Sequence, residues 1–526
     1  MLRQKISEYS KGILPLIILF VIAAVAECLF VFPAFTYDYI SYDSSYQYAL
    51  TQHSIPEIWE LLPYDYSPPF YAITLKLFTM AFGNSLVVMR VYSLVAIIGM
   101  FFIAAFPVRT LFGNWAAGIC LAMTFCSTTL LDLTNEIRPT LFGMFFFMAA
   151  PVYAVLAYSE EKRYAYICMT VFAVLCLYTH NIAMLGMFSV YVVLLVVCLI
   201  RKEYKKFRNF LISGGICAVL YIPWLGVIIG QISAVKSHFW TSDISMLDSV
   251  KMMCTDIFLS KSGFLQFLKL GILAFGFFAV MLRHINLKKL KGAKTFREIV
   301  TIPAEKKDYF NILLLFLFIV AAVLMLTAVN LVVRNLNSHR YFAIIGTVWI
   351  VLLSAIIGRL GSRICNIVLA LILVICHFDN VNTIMKGVDR ASETNIVAEI
   401  TEFSGDEKIA FLHTHEWSLG IMSYYFPNAT HYVYDDMFTV LGTFDVFPVE
   451  VVNIGDYHDI WEYTDNCYVF SNEWSHSKLD EYTPNEYIIS EIATEDRIEY
   501  VGNYQMAYSL FCNNFEISHI SAETPE

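Results

Sequence analysis

Between residues 13 and 379 the chain keeps returning to long apolar stretches, near 13–36, 84–106, 113–131, 140–158, 164–179, 181–200, 210–230, 263–282, 309–333, 341–358 and 363–379. A helix needs about twenty apolar residues to cross about 30 Å of hydrocarbon. No water reaches the backbone inside a bilayer, so a spanning segment must pair its own N–H and C=O groups. The pattern predicts a polytopic, mainly α membrane protein with about eleven transmembrane helices. The fifth stretch is short and the eleventh sits at the margin, which widens the range to ten to thirteen. The first follows Arg3, Lys5 and Lys11, as a signal peptide would. Its apolar part is too long for a cleaved h-region and lacks a small-x-small exit, so it reads as an anchor.

Composition agrees: 58% of the residues are hydrophobic and 15% charged, where a soluble domain keeps about a quarter charged. The net charge of −10 hides two opposed parts. Residues 380–526 hold 26 Asp/Glu and 5 Lys/Arg, whereas residues 1–379 hold 30 Lys/Arg and 19 Asp/Glu. A basic membrane module, 1–379, is thus followed by an acidic, water-facing domain, 380–526. Lys/Arg-rich short loops mark the cytoplasmic side. "RKEYKKFR" (201–208), the segment 283–308, Arg109, Lys162, Arg163, Arg359 and Arg363 fall on one side of an eleven-span path. That places the N-terminus in the cytoplasm of a multi-pass cell-membrane protein. The loop 37–83, the loop 231–262 and the acidic domain lie outside.

The acidic domain reads as α/β. "KIAFLHT" (408–414), "THYVYD" (430–435) and "CYVFSN" (467–472) are strand-like, "EWSLGIMSYYF" between the first two has helical spacing, and 498–511 suggests a hairpin. Most cysteines sit in apolar helices as small hydrophobes, leaving Cys467–Cys512 as one conceivable bridge. In "HTHE" (413–416) neighbouring residues of a strand end point to opposite faces, a poor metal set. Glu27, inside the first span, is an intramembrane acid expected to pair with another span or lie near an end. No phosphate-cradling GxxxxGKS is present, and no basic aromatic patch faces outward, which excludes nucleotide hydrolysis and nucleic-acid partners.

Chemistry concentrates in the first external loop. Asp43, flanked by Tyr42 and Tyr46, leads a helical segment rich in tyrosine, as segments at the water–lipid boundary are. "DYSPPFY" (65–71) then ends one element and starts another, since proline fits a first helical turn and forces its predecessor extended. "FYAITLKLFTMAFG" (70–83), with Lys76, is too short to span and reads as an interfacial helix. The loop holds Asp43, and with it Asp65, at headgroup level; solvated loop acids are the plainer alternative. Arg138 and Arg340 fall at external span ends, where an unpaired arginine near lipid is costly. A lipid phosphate would satisfy them bidentately, as would snorkelling or pairing with Glu136 or Asp132. His180 tops a helix as either an interfacial residue or a donor-phosphate or acceptor contact.

These segments resemble the glycosyltransferase family 39 type of GT-C membrane glycosyltransferases, relatives of protein O-mannosyltransferases and the aminoarabinose transferase of lipid A. The likeness rests on Asp43-Ser44 where the family has an acid-led pair, on Asp65-Tyr66-Ser67-Pro68-Pro69-Phe70-Tyr71, and on Phe82-Gly83-Asn84-Ser85 followed by Arg90. "NEIRPTLFG" (135–143), "YTHNIAML" (178–185) and "NSHRYF" (337–342) extend it over about residues 13–360. Ser44 and Ser67 depart from the family's usual residues. The resemblance implies a GT-C fold and an inverting transfer of a sugar from a polyprenyl-phosphate donor, with Asp43 as the base.

Such a transfer needs a carboxylate to take the acceptor hydroxyl's proton, cations to stabilise the leaving phosphate and a bilayer to hold the donor lipid. Asp43 with Arg138, Arg340 and Lys76 supplies the protein's share. His180, Asp65, Glu136 and Tyr46 complete the expected substrate-binding set. No cofactor follows from the motifs, and a divalent metal held by Asp65 or Glu136 stays open. The acceptor would be a protein, lipid or envelope glycan. A flippase or transporter of lipid-linked sugars would instead predict inverted repeats and helices broken at the midplane. A polysaccharide polymerase or ligase would place its residues in a large late external loop, whereas loop 231–262 spans about thirty residues.

Overall fold

The computed structural model describes residues 2–64, 67–238, 244–255, 306–333, 335–360, 363–392, 396–405, 407–414, 416–435, 444–471, 485–508 and 511–522. The chain opens with α1 (Leu2–Phe35), α2 (Tyr42–Gln52), α3 (Ile55–Leu61), α4 (Phe70–Phe82), α5 (Leu86–Ala105), α6 (Pro107–Phe112), α7 (Asn114–Phe125) and α8 (Thr128–Thr134). It continues with α9 (Thr140–Glu160), α10 (Arg163–Thr179), α11 (Asn181–Ile200), α12 (Tyr204–His238), α13 (Met246–Thr255), α14 (Lys306–Val332), α15 (His339–Leu360) and α16 (Arg363–Ser392). Among the described residues seven stretches are long and apolar enough to cross a bilayer: Gly12–Pro33, Leu86–Phe112, Thr140–Glu160, Asn181–Ile200, Tyr204–Ile232, Lys307–Val332 and Arg340–Arg359.

The expected span at 113–131 is instead a broken pair, α7 and α8, bent by 51°. Ser127 explains the break: its extended backbone and hydroxyl, which accepts from the Leu130 N–H at 3.3 Å, start a new helix there. The stretches expected at 164–179 and 363–379 give shorter apolar helices, Arg163–Thr179 and Asn366–Ile375. The span expected at 263–282 lies outside the described residues. Helix α16 runs unbroken across residue 379, the expected edge of the membrane module.

The two ends of the bundle differ in charge chemistry. At one end, basic loop residues pair with acids: Lys205 and Lys206 with Glu161 at 3.2 and 3.7 Å, Arg359 with Asp308 at 2.6 Å, and Lys307 with Glu160. At the other end the exit of α1 meets α2, the α8–α9 and α10–α11 turns, the start of α15 and the C-terminal domain.

That domain adds α17 (Ile396–Ser404), α18 (Glu416–Tyr425) and α19 (Asn485–Ile492) to six strands: β1 (Ala410–Leu412), β2 (Thr430–Val433), β3 (Glu450–Asn453), β4 (Asn466–Ser471), β5 (Ile498–Tyr508) and β6 (Phe511–Ser521). The sheet order is β3-β2-β1-β4-β6-β5. Strands β1 to β4 pair in parallel, with the β5–β6 hairpin antiparallel at β4. The register rules out the Cys467–Cys512 bridge. Cys467 stands opposite Ile520, eight residues along β6 from Cys512, or about 27 Å at about 3.4 Å per residue. A disulfide tolerates about 7 Å between Cα atoms; Cys467 is a buried free thiol.

The histidines of β2 and of the residue after β1 form a buried stack, with His413 Nε2 2.9 Å from His431 Nδ1. Burial pushes His431 down to about 4, against its bond to the Phe426 carbonyl and the charge of Glu450, which both raise it. A free histidine titrates near about 6.5, so the neutral ring's stabilisation is complete above that pH. It is lost as pH falls towards 4, in all about 3 kcal/mol. The protection of β1 and β2 amides, measured as exchange corrected for its intrinsic slowing in acid, should therefore fall on acidification across that window, and His431→Gln should flatten the dependence. Protection factors that ignore pH in the parent protein would refute this account.

Candidate functional site

Helix α2 starts where the sequence offers a cap. Ser41 has extended backbone, and its hydroxyl accepts from the Ser44 N–H at 3.3 Å. Asp43 follows in the first turn, where a carboxylate suits the positive end of the helix. Its Oδ2 meets the guanidinium of Arg138, from the α8–α9 turn, at 2.5 Å, and that of Arg340, from the first turn of α15, at 2.9 Å. The side chain of Asp43 is 13% exposed, and those of Arg138 and Arg340 are 29% and 21% exposed. A half-buried anion thus sits between two cations open to one side.

His180 completes the group as the cap of α11, its Nδ1 accepting from the Ile182 N–H at 3.2 Å and its ring edge-on to Tyr341. Burial, followed by the charges of Arg138 and Arg340, pushes His180 down to about 3. A ring held neutral with Nδ1 accepting keeps Nε2–H as a donor. Gly143 makes room for it: a Cβ there would lie 3.0 Å from the His180 Cβ.

On the far side of α2's first turn, Glu136 accepts from the Ser41 hydroxyl at 2.7 Å and the Ser44 hydroxyl at 3.2 Å. Ser44 also accepts from the Ile137 N–H at 3.1 Å. Glu136 therefore ties the start of α2 to the turn that presents Arg138. Arg90 of α5 fixes the approach from α1: its guanidinium donates to the carbonyls of Phe35 at 3.0 Å, Tyr37 at 2.8 Å and Tyr39. Arg90 is 1% exposed and stacks over the Tyr39 ring.

Of the residues expected at the site, the structure brings Asp43, Arg138, Arg340, His180 and Glu136 together. Lys76 goes elsewhere. Its ammonium donates to the Thr51 carbonyl at 2.6 Å, near the C-terminal end of α2, about 12 Å along the helix from Asp43 at about 1.5 Å per residue. Tyr46 is buried with its ring 6.2 Å from that of Phe447 in the C-terminal domain. Asp65 lies outside the described residues. Ser41 and the Ile137 N–H were not foreseen; the short serine spacing before a helix was their one signal. Among the described residues no three His, Cys, Asp or Glu side chains group as a metal site.

Residues 66–226 match the family model described as dolichyl-phosphate-mannose-protein mannosyltransferase. Over nearly its full length the chain is similar in structure to ArnT from Cupriavidus metallidurans in the apo state. The TM-score is 0.60 at 11% identity, covering 96% of this chain and 97% of that one. The fold is GT-C. ArnT from the same organism bound to undecaprenyl phosphate matches with a TM-score of 0.51 at 11% identity, over 97% and 99% of the two chains. No curated protein matches. The resemblance read from the external loop therefore stands: a GT-C membrane module, with the matched family region covering the proline turn, Arg90, Glu136, Arg138 and His180, followed by a C-terminal sheet.

Proposed function

We propose that the protein is an inverting glycosyltransferase that moves a sugar from a polyprenyl-phosphate donor to a protein, lipid or envelope-glycan acceptor at the extracytoplasmic face. The observation that carries this reading is the convergence of Arg138 and Arg340 on Asp43 at one end of an apolar bundle. Two guanidiniums at headgroup depth suit a lipid phosphate that gains charge as it leaves. An arriving phosphate would draw them from Asp43 and leave the carboxylate free to act. In the transfer the acceptor oxygen attacks the anomeric carbon as its proton passes to Asp43. The bond from that carbon to the phosphate oxygen breaks, and the electron pair leaves with the polyprenyl phosphate. His180, neutral, offers its Nε2–H to a sugar or phosphate oxygen without adding charge. Glu136 positions α2 through Ser41 and Ser44.

The paired basic loops at the opposite end support, by the positive-inside rule, a reading in which that end faces the cytoplasm and the Asp43 end with the acidic domain faces outward. ArnT's capture of undecaprenyl phosphate supports a carrier of that chemical class here. The test is to incubate the purified protein in detergent with a panel of polyprenyl-phosphate sugars and an acceptor extract, and to follow free polyprenyl phosphate. Release from at least one donor is expected. No release, together with movement of a lipid-linked sugar across liposomes, would replace the transferase reading with a transporter.

A further inference from the structure

Helix α2 presents a second face to the C-terminal domain. Ser41 and Ser44 turn towards Glu136, while Tyr42, Ser45 and Tyr48, one turn apart, line the side that α18 covers. A Cβ built on Gly420 of α18 would lie 2.6 Å from the Ser45 Oγ and 3.0 Å from Tyr42 Cδ2. A methyl group at this point would force the Ser45 hydroxyl away from the Tyr42 carbonyl it is bonded to and press on the Tyr42 ring. Flanking this point, the Trp417 and Tyr42 rings lie 6.2 Å apart, and the Tyr424 and Tyr48 rings meet edge-on at 4.9 Å. Tyr424 and Tyr425 donate to the side chain and carbonyl of Asp38 at 3.2 and 3.3 Å.

Helix α18 is itself anchored at both ends. The Phe426 carbonyl, just past its end, can only accept, so His431 Nε2, 3.1 Å away, donates. His431 Nδ1 then accepts from His413 Nε2, and His413 Nδ1, 3.0 Å from Ser418, accepts that hydroxyl's proton. This one-way chain, with both rings fully buried, fastens the first and last turns of α18 to the sheet. An eleven-residue helix such as α2 is marginal without packing, and here it is packed between Glu136 and α18.

We propose that the C-terminal domain is a positioning element for Asp43, acting through the seam of Gly420 and Ser45, which are positioning residues. The inference rests on the transferase reading of Asp43 for its effect on turnover. A displacement of about 1 Å at a reacting group can cost about a hundredfold in rate, and α2 carries the base in its first turn.

The test compares Gly420→Ala, Ser45→Ala and the double variant by two readouts: hydrogen exchange over residues 42–52, and kcat and KM for polyprenyl phosphate release. Gly420→Ala should speed exchange over 42–52 while leaving β1 and β2 unchanged. It should lower kcat about tenfold with KM moved less than about twofold. Removing the Ser45 hydroxyl makes room for the new methyl, so the double variant should recover to within about threefold of Ser45→Ala. Parental exchange and kcat in Gly420→Ala would overturn the proposal. So would a double variant as impaired as Gly420→Ala, with fast exchange spread through β1 and β2. If the parent protein releases no polyprenyl phosphate and instead moves a lipid-linked sugar across liposomes, the transferase reading fails, and the exchange data alone decide whether α18 holds α2.

Discussion

Asp43→Asn is expected to abolish transfer while the protein stays folded. Losing a positioned base costs about a hundred- to ten-thousandfold, so kcat should fall about a thousandfold. The amide still accepts from the two guanidiniums, which are 29% and 21% exposed and reach water. Stability should therefore change by less than about 2 kcal/mol. The direction of KM is the sharper test. Arg138 and Arg340 keep their charge but lose their counter-ion, so a donor phosphate no longer competes with a carboxylate for them. Donor KM should stay level or fall while kcat collapses, the signature of a group used in the transition state. A variant within about tenfold of the parent kcat would move the base elsewhere, and a rise in KM with parental kcat would make Asp43 a binding residue.

What the sequence made legible follows from which forces are local. Long apolar stretches report burial in lipid residue by residue, so most of the helical body could be read directly. The break at Ser127 could not, because a capping serine inside an apolar run looks like a tolerated polar residue until the 51° bend is seen. In the C-terminal domain β1, β2, β4 and the hairpin carried β-branched and aromatic runs. The four-residue β3 also lies in a β-branched run, Val449, Val451, Val452 and Ile454, but it is short, partly exposed and preceded by Pro448, and it was missed. At the site the residue types were readable because arginine at a span end is expensive without an anion. Their partnership was not: Arg340 and Asp43 are 297 positions apart, and nothing local says which anion an arginine finds. Lys76 shows the converse. Its placement on a surface helix suggested phosphate, but a backbone carbonyl at the end of α2 lay nearer. The Cys467–Cys512 expectation failed because strand register, a long-range property, decides which cysteines can meet.

The largest effect on the fold is expected at Arg90, which touches none of the reacting groups. Phe35 ends α1, and the last carbonyls of a helix have no partner of their own. Arg90 reaches from the first turns of α5 to the carbonyls of Phe35, Tyr37 and Tyr39, a cation at the negative end of α1. It thereby sets the path of the five residues that lead to Ser41 and the cap of α2. Hydrogen bonds from a charged donor contribute about 1.5–3 kcal/mol each, and cutting a buried set of this kind belongs to the large class of single-site losses. Arg90→Ala should cost about 3–5 kcal/mol, read as a lower unfolding temperature in detergent. Arg90→Lys should recover less than half of this, because a single ammonium cannot span three carbonyls in a fixed fork. Arg90→Met separates charge from bulk: it fills much of the volume and donates nothing, so it should resemble Arg90→Ala. If Arg90→Met unfolds at the parent temperature, the carbonyl clamp contributes little and packing alone holds the exit of α1. If the three variants lose turnover in the same order as they lose stability, the path from α1 to α2 is what delivers Asp43 to the two arginines.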